Sequence, residues 1–249
     1  MDENDVKPVK ELLDRFLAEK RNDDHFQAVA TQVKFAQKIF DAVCTLCRAG
    51  NGVAAEALVR TLFDLIINTT ILAKHPELLA DFIDHGRLNQ LEVMEATRPP
   101  EPFAKKHQIV IEANKGEVDR LRAKFKTTDT RSSKWHHFKT RDAIKESGLS
   151  GRMNLIYYKR ASNIAHGEPM ATVKPTTADW KEFKITVPEQ GWKRFETLSL
   201  TQARLLMVFL FSILNDHFKL GYDEQLQKLA QWTEGLRKAD MEKFQPPDN

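Results

Sequence analysis

Cysteine occurs only twice in the 249 residues, as Cys44 and Cys47, which is too few for a disulfide framework. A single C-x-x-C with no second pair of ligands cannot close a tetrahedral zinc site, and within DAVCTLCRAG the two thiols read as small core residues of a helix. The longest near-continuous apolar run, Leu205 to Leu214, falls short of the roughly 20 residues that a membrane span needs, and no basic-then-apolar segment opens the sequence. A cytoplasmic protein with no membrane partner is therefore expected. The sequence has no glycine-rich phosphate loop, no nucleophile elbow and no H-E-x-x-H, so ATPase, serine hydrolase and zinc protease chemistries lack their parts. His136 and His137 are adjacent and diverge on either a helix or a strand, so no metal site and no cofactor are expected.

Glycine is scarce too, at 10 residues, and most of it falls between periodic segments: Gly50 and Gly52, Gly148 and Gly151, Gly167, Gly191 and Gly221. Long intervals without breakers imply helices. Apolar positions recur at three- and four-residue spacing over about 6–21, 24–49, 53–75, 77–97, 103–126, 140–147, 151–166, 198–219 and 222–241. In the second, Phe26, Val29, Val33, Ala36, Phe40, Val43 and Cys47 trace one stripe that another helix must cover. Residues 205–214 are apolar on every side, which marks the helix over 198–219 as the centre of the core.

Strand character is confined to the region after Gly167, where Met170–Val173 and Phe183–Val187 flank KPTTADW and predict a small β-hairpin. With 41% hydrophobic and 29% charged residues, disordered and collagen-like chains are excluded. The expectation is an all-α fold, one helical domain over 1–249 with its core at about 24–220, a turn at TRPPEP, and frayed ends over 1–5 and 242–249.

Charge is uneven along the chain. Lys and Arg number 15 against 7 Asp and Glu in residues 101–160, whereas residues 1–100 hold 12 against 16. A basic middle suits an acidic partner or a polyphosphate backbone, and it equally describes a solvated lysine-rich helix face.

The most informative stretch is GRMNLIYYKRASNIAHGEPM, Gly151 to Met170. On a helix, Met153, Tyr157, Ala161 and Ile164 share one face, and Arg160 projects into the same sector. A guanidinium on an apolar face cannot lose its charge, so it must meet a carboxylate, carbonyls or an external anion. Asn163 and His166 follow at three-residue steps and stop where Gly167 and Pro169 end the helix, so three polar groups can converge there. Histidine both takes and gives a proton near neutral pH, as phosphodiester cleavage through a ribose hydroxyl requires, and arginine can bind the phosphate with two prongs. The same residues also fit a structural role, with the histidine on the last carbonyls of the helix and the arginine bridging two helices.

RASNIAH, Arg160 to His166, resembles the arginine, four-to-six residues, histidine signature of the higher eukaryotes and prokaryotes nucleotide-binding (HEPN) superfamily. Those domains are all-helical, and many are metal-independent RNA endonucleases in toxin and antiviral systems. Here Ala161 stands where the nucleases usually carry a polar residue after the arginine. AAEALVRTLFDLIINTTIL and YYKRASNIAHGE also resemble a bacterial all-helical family of unknown function over roughly 25–220, which implies a fold and no activity. The HEPN resemblance implies His166 as general acid/base, Arg160 on the scissile phosphate, Asn163 positioning one of them beside Ser162, and a homodimer with a composite cleft.

Two further constellations stand out. Glu56, Arg60, Asp64 and Asn68 recur at four-residue spacing on an otherwise apolar helix. They read either as an exposed face with intrahelical ion pairs or as a face on which Arg60 or Asp64 orients the arginine or histidine at 160 and 166. Lys134, Trp135, His136, Lys139 and Arg141, with Lys159, read as a nucleic-acid contact in which the tryptophan stacks and the cations pair with phosphate, or else Trp135 anchors a loop on the core. The leading expectation is metal-independent RNA cleavage by a toxin or defence effector. The alternative is a non-catalytic helical sensor or adaptor that binds an acidic partner. Neither reading identifies a regulatory partner protein.

Overall fold

A computed structural model describes residues 6–97, 99–125, 135–149, 177–179, 184–186 and 189–242. Among these are eight α-helices: α1 Lys7–Ala18, α2 Asp24–Arg48, α3 Gly52–Lys74, α4 Leu79–Ala96, α5 Ala104–Phe125, α6 Thr140–Ser147, α7 Glu189–Phe218 and α8 Asp223–Glu242. The fold is all-α, as the periodicity implies. The helix expected over 151–166 lies outside the described residues.

The chain divides into two compact units, residues 1–73 with 144–249, and residues 74–143. In the first unit, α7 packs on α2 and α8, and α1 packs on α2. The expected α2 stripe, Phe26 through Cys47, is buried at every position. Asp23 starts that helix by accepting from the backbone N–H groups of His25 and Phe26 at 3.0 and 3.1 Å. Within 205–214 no residue is exposed, and Leu206, Met207, Leu210, Phe211 and Leu214 are buried. Asn215 joins α7 to α8, with Nδ2 donating to Asp223 at 2.9 Å and Oδ1 accepting from the Tyr222 N–H at 2.8 Å.

Three expectations are corrected. Helix α7 begins at Glu189 rather than near 198, because Gly191 sits inside its first turn and does not break it. Gly52 belongs to α3 rather than to the turn before it. The hairpin matches the expected place in its second arm alone, since Lys184–Thr186 lies inside the alternating run Phe183–Val187. Met170–Val173 lies outside the described residues, and the strand that pairs antiparallel with Lys184–Thr186 is Thr177–Asp179, inside the segment read as the turn. Three-residue strands leave the all-α class unchanged.

Within α7 the stretch Phe195–Phe218 is long and apolar enough to cross a membrane, although its apolar run alone is short. Its most apolar window is 61% buried inside the protein, as for a core helix.

Gly52 marks the closest approach in this unit. A Cβ placed there would clash with the Glu196 backbone nitrogen and lie 2.8 Å from the Phe195 carbonyl carbon, so α3 and α7 meet backbone to backbone. Cys44 and Cys47 are buried free thiols, and burial pushes them up from 9.0 to about 11 and about 12.

Gly52→Ala should cost about 3 kcal/mol or more in chemical denaturation, because backbone atoms cannot move aside as a side chain can. The two thiols should resist a thiol reagent at pH 8 in the folded chain and react at once in denaturant. Both stay neutral when folded, so the stability this confers is full below pH 9.0 and falls as pH rises towards about 11 and 12.

Candidate functional site

Helix α3 is not a solvated polar stripe. Of its 23 residues 13 are buried, and Glu56 is 0% exposed, so it is as central as α7. The Ser199 hydroxyl of α7 donates to Glu56 Oε2 at 2.7 Å, one turn past the Gly52 contact, and lies 3.3 Å from the Gly52 carbonyl. A buried carboxylate costs several kcal/mol unless hydrogen-bonded, which ties Glu56 to this neighbour. Arg60 and Asp64 form the intrahelical ion pair expected from their spacing, with the Arg60 side chain 17% exposed and that of Asp64 47%. Arg60 is therefore largely drawn into the protein, while Asp64 reaches water.

Helix α7 adds polar residues that sequence reasoning missed. Ser199, Gln202 and Arg204 are all buried at the head of its apolar segment. The Arg204 guanidinium stands 5.5 Å from the Trp232 ring centroid, a cation–π contact. Among the described residues the Gln202 amide has no hydrogen-bond partner at either end, which is costly for a buried group. A signal was present in SLTQAR, where four polar residues, Ser199, Thr201, Gln202 and Arg204, stand directly before the apolar run from Leu205 to Leu214.

Arg160, Asn163, His166, Ser162, Lys159 and Lys134 lie outside the described residues. Trp135 and His136 belong to the second unit and are 6% and 3% exposed. The Trp135 ring meets Phe82 edge-on at 5.2 Å, and His136 Nδ1 accepts from the Phe138 backbone N–H at 3.1 Å. A ring so placed offers no face to a base, so Trp135 takes the anchoring role. Lys139 and Arg141, by contrast, are exposed.

Much of the basic character of α5 is answered by α4. Arg122 donates to Glu92 at 3.0 Å and Glu95 at 2.6 Å, and Lys124 lies 2.7 Å from both Asp81 and Asp84. Arg120 pairs with Glu117 and, at 3.7 Å, with Asp84. The hydrogen bonds of Lys124 to Asp81 and Asp84 raise its pKa, and the bond from Lys124 holds the Asp84 carboxyl below its ordinary value. Lys105, Lys106, Lys115, Lys139 and Arg141 stay exposed and form no ion pair among the described residues.

The described residues define an all-α protein with a buried polar cluster at the meeting of α3 and α7. The chain belongs to the family of unknown function DUF5677, whose model matches residues 26–178. That is narrower than the 25–220 read from the sequence for a helical family without assigned activity. No curated protein matches the chain, and no solved structure does.

Trp135→Ala should lower stability by about 3–5 kcal/mol through the cavity left against Phe82. Lys139→Ala and Arg141→Ala should stay within about 0.5 kcal/mol of the parent in the same denaturation experiment.

Proposed function

We propose that this chain is a metal-independent RNA endonuclease of HEPN type. The observation that carries the reading is the Arg160-to-His166 spacing, which falls within the 26–178 segment that places the chain in its family. In this reading His166 takes the proton of a ribose 2′-hydroxyl as that oxygen attacks the adjacent phosphorus. The bond to the 5′-oxygen breaks, and the leaving oxygen takes up a proton, which leaves a 2′,3′-cyclic phosphate. Arg160 holds the phosphate and offsets the charge that grows on its oxygens, and Asn163 with Ser162 orients one of the two. Arg60 and Asp64 would support them from α3. The exposed Lys139 and Arg141, with Lys134 and Lys159, would meet the RNA backbone. The resemblance further implies a homodimer, cytoplasmic action and a role as a toxin or antiviral effector.

A second reading, a non-catalytic helical adaptor that binds an acidic partner, draws on the α4–α5 ion pairs, since cations already paired within the protein release fewer counterions from a nucleic acid.

Incubation with total RNA in EDTA separates the two. The parent should cut and leave 2′,3′-cyclic phosphate ends, and His166→Ala should abolish cutting while melting within about 1 kcal/mol of the parent. Products with 5′-phosphates formed only with magnesium would contradict the mechanism. A badly destabilised His166→Ala would return the protein to the adaptor class.

A further inference from the structure

Helix α5 runs 22 residues, yet its buried positions are only Val118, Leu121 and Phe125. Its first 14 residues, from Ala104 to Glu117, contain no buried residue, and they carry Ile109 at 65% exposure and Val110 at 41%. Roughly four turns of helix in water are marginal when nothing covers an apolar position, so this segment lacks part of its packing.

The uncovered face has a definite composition. With Val118, Leu121 and Phe125 marking the buried side, the 100° step puts Ile109 on the opposite side, with Ala113 and Gly116 beside it. A Cβ at Gly116 would meet nothing within 4 Å. Lys105 and Glu112 lie seven residues apart, both exposed and both on the same flank of Ile109. In antiparallel helix pairs, equivalent flank positions of successive heptads face one another across the contact. Two copies of α5 crossing antiparallel at Ile109 therefore set Lys105 of each copy against Glu112 of the other, twice over by the symmetry. On the other flank, the stem of Lys106 would lie over the small Ala113.

We infer that the exposed face of α5 centred on Ile109 is an interface between two copies of this chain, related by a twofold axis through Ile109. The self-complementary charge pattern favours a second copy over other occupants. An RNA contact would be weakened by Glu112 on the flank of the face, whereas a twofold contact is favoured by both signs on one flank. The nuclease reading also implies a homodimer, but this interface is argued from α5 residues outside the Arg160 and His166 site and stands without that reading.

Sedimentation of the full chain over a concentration series tests it. The parent should pass from monomer to dimer, and Lys105→Glu and Glu112→Lys should each weaken the dimer by about tenfold, as two like-charge contacts replace two attractions. The combined reversal should restore parental association, a result that damage to the fold could not produce. Ile109→Glu should leave a monomer at all concentrations. Backbone amides of residues 104–113 should gain exchange protection as the parent dimerises. A parent that stays monomeric at the highest concentration, or a dimer indifferent to all these changes, would overturn the inference.

Discussion

Where α3 meets α7 there is no room for a single carbon atom. The approach of the Gly52 backbone to Phe195 and Glu196 fixes the depth at which the two helices sit, and that depth sets the contacts made one turn further along. Ser199 is brought within 2.7 Å of Glu56, a carboxylate sealed from water that few other arrangements could satisfy. Cys47 Sγ, on α2, reaches the Glu196 carbonyl at 3.4 Å beside the same junction. The Glu56–Ser199 pair thus sits directly beside the one glycine that lets the two backbones meet, and Arg60 follows a further turn along α3.

Local periodicity was readable because it is a property of neighbouring residues. Every position of the α2 stripe, from Phe26 to Cys47, is buried as its spacing implies, and the all-round apolar segment of α7 has no exposed residue. What the spacing could not carry is the identity of partners far away in sequence. Glu56 stands at a four-residue spacing from Arg60, which suggests a solvated face, yet its partner Ser199 lies 143 residues away. Gly52 and Gly191 look like punctuation because glycine usually is, yet α3 starts at Gly52 with Asn51 accepting from the Ala54 N–H at 3.2 Å, and the close approach of α7 explains why residue 52 carries no side chain. Trp135 was open to two readings, and the choice turns on Phe82, a residue that no local pattern connects to it.

Charge shows the same limit more sharply. The excess of Lys and Arg over 101–160 is real, but charge counted along a chain ignores what the next helix brings. Asp81, Asp84, Glu92 and Glu95 belong to α4, and they answer Arg120, Arg122 and Lys124 of the adjacent α5. Among the described residues of the second unit, Lys105, Lys106, Lys115, Lys139 and Arg141 are the exposed cations that no ion pair engages. A fold of this kind is compatible with catalysis or with scaffolding, so the weight of the functional reading falls on the chemistry of Arg160 and His166.

The most direct measurement of that chemistry is the proton titration of His166 by NMR, made with and without a single-stranded 2′-deoxy oligonucleotide that binds but lacks the attacking hydroxyl. A nuclease histidine should titrate between about pH 5 and 8, and its pKa should rise when phosphate is held next to it, because the anion favours the protonated ring. A His166 ring that keeps one protonation state across that range, or that titrates identically with and without the oligonucleotide, would contradict a catalytic role at this position.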